Sequence, residues 1–202
     1  MSVIDVVIKV GGSLLGRPTQ LDAVASALAN LHERYRLVVV PGGGPMADTI
    51  RALDRRLALD DDTSHWMAVL AMDQYAQLLA ARIRGAVLVH DPAEIAGAHS
   101  RGELPVLAPY RWLRETDPLP HSWSVTSDSI AAWVAKTLDA RRLVLVKPAS
   151  GAIETMTDEH FAEHHAPRSD TLIVSANDIE QLESLLAIAC SQAGVVETSR
   201  DS

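Results

Sequence analysis

The sequence has a single cysteine, Cys190, and so cannot form an internal disulfide. Cys190 is expected on the apolar face of the last helix, with no partner for nucleophilic chemistry. Positive charge is scarce. The formal net charge is −8, which argues against nucleic acid or an anionic membrane as a main partner. Of 18 basic residues, the only lysines are Lys9, Lys136 and Lys147. Phenylalanine occurs once, at Phe161. No apolar run reaches the roughly 18 residues of a membrane span. Met1-Ser2-Val3 leads straight toward a strand without a signal peptide, so a cytoplasmic protein is expected. No internal repeat or linker interrupts the chain. What remains is a chain of 202 residues, 48% hydrophobic, which suits a globular core. One domain over residues 1–202 is expected, with a flexible polar tail from about residue 195.

Ile4 to Val10 reads as a strand buried on both faces, broken by Lys9 near its end. It turns through Gly11-Gly12-Ser13. Glycine lets a backbone turn tightly and approach a ligand. Successive N–H groups in such a loop can hold anionic oxygens, and Lys9 beside them brings a mobile positive charge. A second buried strand, Leu37 to Val40, runs into Pro41-Gly42-Gly43-Gly44-Pro45, and helical spacing follows. The positive end of that helix is a favourable place for an anion. Neither loop matches the P-loop or the dinucleotide fingerprint, and glycines also simply make turns.

A third segment, Ser127-Asp128-Ser129, opens an alanine-rich helix. It is followed by strand Leu143–Val146 and by Lys147-Pro148-Ala149-Ser150-Gly151. These three segments, in this order, resemble the amino acid kinase family, which includes acetylglutamate, aspartate, glutamate 5- and uridylate kinases. The resemblance implies an α/β three-layer sandwich with a mainly parallel central sheet. Alternating strands and helices support that architecture independently.

Elsewhere, Leu59-Asp60-Asp61-Asp62-Thr63 reads as a turn and N-cap for a helix beginning near Ser64, or as a carboxylate cluster facing a substrate ammonium. Asp48, Asp73 and Asp91 are the next candidates for that task. In the helix after it, Trp66, Met67, Leu70 and Met72 serve the core or a subunit interface, and a homo-oligomer is expected. His65 caps this helix or lines the site. Ala86–Val89 and Leu104–Leu107 are further strands, and Tyr110–Leu113 an amphipathic turn. Trp123 belongs under the rim of the site. Phe161 lies in a histidine-rich stretch, Glu159 to His165, expected as an exposed helix without metal-ligand spacing. Thr171–Val174 is the last strand, and Asn177-Asp178 caps a closing helix from Ile179 to Ala189.

The resemblance implies ATP as phosphoryl donor with Mg2+ on its phosphates. Lys9 would stabilise the moving group, and Gly11, Gly12 and Ser13 would hold donor oxygens. Asp128 would orient Lys9. Lys147 would share in catalysis and, with Gly151, lie beside the nucleotide. Gly42, Gly43 and Gly44 would hold a small-molecule acceptor, with Asp62 and His65 near it. One departure stands out: no lysine follows Lys147, whereas acetylglutamate-type members use a second catalytic lysine after the nucleotide strand. Either Lys147 serves, as in the uridylate-kinase branch, or an arginine such as Arg168 does. This tilts the expectation toward a phosphomonoester acceptor and a diphosphate product. The His65-Trp66-Met67-Ala68…Met72-Asp73 element and the short chain resemble the (5-(aminomethyl)furan-3-yl)methyl phosphate kinases of methanofuran-type biosynthesis. The alternatives are another family enzyme, acting on an amino acid carboxylate or a nucleoside monophosphate, and a non-catalytic nucleotide- or oxyanion-binding member.

Overall fold

The computed structural model describes residues 3–149, 151, 152, 156–158, 160, 161 and 170–193, of which 188–193 by backbone alone. The expectations for the side chain of Cys190, for Glu159, Glu163, His164, His165 and Arg168, and for the tail lie outside them.

Six strands form one sheet: β1 (Val6–Val10), β2 (Leu37–Pro41), β3 (Ala86–Val89), β4 (Leu104–Leu107), β5 (Arg142–Lys147) and β6 (Asp170–Ser175). Their order across the sheet is β3-β4-β2-β1-β5-β6, and every neighbouring pair is parallel. Such a sheet must be covered on both faces, and the period of two along each strand divides the apolar side chains between them. Val6, Ile8 and Val10 join one core with Val39, Val144 and Val146; Val7 joins the other with Val38, Leu143 and Leu145. The first core is closed by α1 (Pro18–Leu31), by Tyr75, Ala76 and Leu79 of α3 (Asp61–Arg82), and by Leu182 and Leu186 of α7 (Leu182–Ala193). The second is closed by α4 (Pro92–Ser100), α5 (Tyr110–Thr116), α6 (Ser127–Thr137) and the first part of α3. This is the three-layer α/β sandwich expected. α2 (Gly44–Leu57) has no buried residue and leans on α3.

Several boundaries differ from expectation. The stretch after Gly11, which with Leu14-Leu15-Gly16-Arg17-Pro18 reads as a loop in the sequence, is a 3-10 turn over Gly12–Gly16, and Leu14 drops fully into the core. α3 begins at Asp61, earlier than Ser64. Asp60 caps it, accepting from the Thr63 N–H at 2.8 Å and the Thr63 hydroxyl at 3.0 Å. Tyr110 opens a helix of two turns, since Trp112 and Leu113 both find the core. After β6, Ser175 caps a 3-10 turn over Ala176–Gln181, and the helix proper waits until Leu182. Phe161 is buried, not exposed: the ring packs into the second core.

Candidate active site

β1 is the central strand of this site because it pairs with β2 on one side and β5 on the other. The chain leaves it in both directions, so a crevice opens beyond the carboxyl ends of β1 and β5. Lys9 lies opposite Leu145, and Lys147 is two residues beyond Leu145 on the same face. α6 covers that face and carries Asp128 in its first turn. The three residues therefore meet. Lys9 Nζ is 2.8 Å from Asp128 Oδ1, and Lys147 Nζ is 2.8 Å from Asp128 Oδ2. Lys147 donates a hydrogen bond to Asp128, and Lys9 forms an ion pair with it. Lys147 also donates to the Met156 carbonyl. Burial opposes ionisation of Asp128, but the two ammonium groups outweigh it and hold the carboxyl below its ordinary range.

The start of α6 is held by a residue that the sequence did not signal. The Asp158 carboxylate accepts from the N–H groups of Thr126 and Ser129, each at 3.2 Å, and from both their hydroxyls. It thus anchors the turn that aims Asp128, at the end of the helix that favours negative charge. A lone aspartate in a polar stretch carries no motif by which to find it.

The two glycine loops touch. A Cβ on Gly12 would lie 2.2 Å from the Gly44 nitrogen, and one on Gly42 would lie 2.6 Å from the Gly12 nitrogen. Gly44 itself has φ +56°, the left-handed region that favours glycine. Gly11 does not offer its N–H to a ligand: it donates to the Val146 carbonyl at 2.9 Å, extending the β1–β5 ladder. Gly12 and Ser13 start the 3-10 turn, where N–H groups have no partner within the turn. Beyond β5, a Cβ on Gly151 would lie 2.8 Å from the Met156 side chain.

Beside the touching loops lies a cavity of about 470 Å³. Its walls come from Gly43, Gly44, Asp48 and Arg51 of the second loop and α2, His65 and Met72 of α3, and Trp123, Thr126 and Ser127 before and at the start of α6. Trp123 sits at the rim as expected, its indole N–H donating to Asp54 at 2.6 Å and its ring under the Arg51 guanidinium at 4.6 Å. His65 lines the cavity; Gly42 and Asp62 do not. Asp62 Oδ1 is instead 2.5 Å from Nδ1 of His121, whose Nε2 is 2.8 Å from Asp117. Burial works against charge on His121, but the two carboxylates raise its pKa. His121 stacks on His65 at 4.3 Å. Burial, reinforced by that neighbour, pushes the His65 imidazole down to about 4.

The sequence matches the description "Amino acid kinase family" over residues 6–154. This chain belongs to the amino acid kinase family. It is 27% identical to the [5-(aminomethyl)furan-3-yl]methyl phosphate kinase of Methanocaldococcus jannaschii over 180 residues, covering 89% of this chain and 78% of that protein. It is likewise 27% identical to a uridylate kinase of Methanoregula boonei, covering 84% of this chain and 71% of that one. The crystal structure of a uridylate kinase from Archaeoglobus fulgidus superposes with a TM-score of 0.59 at 19% identity, over 77% of this chain and 69% of its own. As an amino acid kinase family member the chain is a phosphotransferase. The fold brings Lys9, Asp128 and Lys147 into one cluster, and Gly43, Gly44 and His65 into the cavity wall. Arg51, Asp48 and Asp158 are polar groups of this region that motif reasoning left without a first-rank role.

Proposed function

We propose that the chain transfers the γ-phosphoryl group of ATP to a phosphomonoester, (5-(aminomethyl)furan-3-yl)methyl phosphate, giving a diphosphate and ADP. The observation that carries this is the buried Lys9–Asp128–Lys147 cluster at the sheet's switch point, beside a cavity floored by the Gly43-Gly44 turn. Phosphoryl transfer needs positioning and charge stabilisation more than covalent chemistry. An oxygen of the acceptor phosphate attacks the γ-phosphorus, and the bond from that phosphorus to the β–γ bridging oxygen breaks. Lys9 and Lys147 stabilise the charge spread over the transferring group. Asp128 keeps both ammonium groups in one place, so little reorganisation is needed. The N–H groups of Gly12 and Ser13 take donor oxygens, and the start of α2 takes the acceptor phosphate.

The donor set fits a nucleotide carrying Mg2+. Mg2+ carried in on the nucleotide would neutralise phosphate charge there; Asp128, with both oxygens on lysines, would position those ammonium groups rather than hold the ion. Supporting the acceptor is the likeness to the aminomethylfuran phosphate kinase over most of both chains. The likeness to uridylate kinases supports a second reading, a nucleoside monophosphate attacked in the same way. The test is ATP consumption against a panel: the aminated furan phosphate, nucleoside monophosphates, and amino acids with free carboxylates. Turnover led by the furan phosphate is expected. Turnover led by a carboxylate would overturn the proposal.

A further inference from the structure

An acceptor that carries an ammonium group needs a carboxylate facing it. The acidic run before α3 does not supply one. Asp60 caps α3, Asp62 turns to His121, and none of Asp60, Asp61 and Asp62 lines the cavity. Asp73 accepts from the Tyr110 N–H at 3.0 Å. Asp91 caps α4 through the Glu94 N–H at 2.8 Å and pairs with Arg111. Asp54 holds the Trp123 indole. Among the described residues, the carboxylate in the wall of the cavity is Asp48.

Its position on α2 is informative. Gly44 and Asp48 are one turn apart on one helical face, about 6 Å along the axis. An anion at the helix start therefore has a carboxylate one turn away. Arg51, a further three residues on, pairs with Asp48 at 3.0 Å and rests over the Trp123 ring. That contact biases where the carboxylate stands on the wall. The Asp48 side chain is 71% exposed, so an arriving ammonium reaches it from the open side. Cavity and helix start together thus offer an anion site and a cation site in line, a match for a molecule bearing a phosphate at one end and an ammonium at the other.

We infer that Asp48 is the residue that selects an ammonium-bearing acceptor, with Arg51 as its positioning residue. This rests on the phosphomonoester reading above. The test compares kcat/KM for (5-(aminomethyl)furan-3-yl)methyl phosphate with that for its analogue bearing methyl in place of aminomethyl. The parent protein should prefer the aminated acceptor. Asp48→Asn should lower that preference about tenfold or more, equivalent to about 1.4 kcal/mol, mainly through KM for the aminated acceptor. Asp48→Glu keeps the charge and should keep most of the preference. A preference in Asp48→Asn equal to the parent's overturns the inference while the phosphomonoester reading stands. Equal loss in the Glu and Asn variants also overturns it, since charge would then not be what is read. A parent protein inactive on both phosphates fails the reading itself, and the inference with it.

Discussion

Lys9 is a lysine in the middle of a buried sheet, and its side chain is only 7% exposed. Burying such a charge costs several kcal/mol unless it is paired, and Asp128 is the pair. Because Asp128 also holds Lys147, loss of Lys9 leaves the carboxylate with a partner. Lys9→Ala should therefore keep its circular dichroism spectrum and lose on the order of 10²–10³ in rate in a coupled ATP assay. A near-parental rate would remove Lys9 from the chemistry. The histidine pair gives a second expectation. His65 is held down at about 4 against an ordinary 6.5. Between those values the unfolded chain binds a proton that the folded imidazole refuses. The contribution of His65 is thus whole above pH 6.5 and declines toward pH 4, on the order of 3 kcal/mol in all. His121 is raised, so its contribution has the opposite sense: full at low pH, fading as pH rises through its folded value. Urea unfolding across this window should show acid-side loss that His65→Gln reduces; identical profiles for the two proteins would refute it. The three catalytic candidates were legible because lysines are rare here and two of them end strands. Asp158 and Arg51 were not, since an isolated aspartate and one arginine among many carry no pattern until the fold brings them to α6 and Trp123.

The glycine loops act as a unit. Gly12 and Gly44 are so close that any Cβ between them meets backbone, while Gly16, in the same 3-10 turn, has nothing within 4 Å of a built Cβ. Gly12→Ala should cost about 1–3 kcal/mol and depress activity by prising α2 from β1, whereas Gly16→Ala should do neither. Thermal unfolding and turnover of the two variants decide it; equal behaviour would mean the loops are not mechanically joined. The strands were legible nearly to the residue, because they are short apolar runs rich in Val, Ile and Leu. The 3-10 turns were not. Leu14 reads as loop beside two glycines, and only the position of α1 above β1 draws it inward. The start of α3 was blurred by three consecutive aspartates, each a competent cap.

Across the whole molecule, α3 serves both cores, and its Trp66, Val69, Met72, Tyr75 and Leu79 all turn inward. Leu70 and Leu78 remain outside, 41% and 36% exposed. A homo-oligomer is still expected, and this narrower strip is where α3 would contribute. Sedimentation at micromolar concentration should show a species heavier than the monomer, lightened by Leu70→Glu; a parent that is monomeric throughout would end that expectation. The sheet order places the ends of β1 and β5 at one crevice, with the lysine pair inside and the α2 cavity alongside. On the proposed reading, this crevice joins one phosphate to another. Phosphorus-31 NMR of the protein with ATP, Mg2+ and (5-(aminomethyl)furan-3-yl)methyl phosphate tests it directly. The acceptor's single phosphate resonance should give way to a pair of mutually coupled diphosphate resonances as ADP accumulates. An unchanged acceptor resonance, or ATP consumed without a phosphate–phosphate bond to the acceptor, would contradict it.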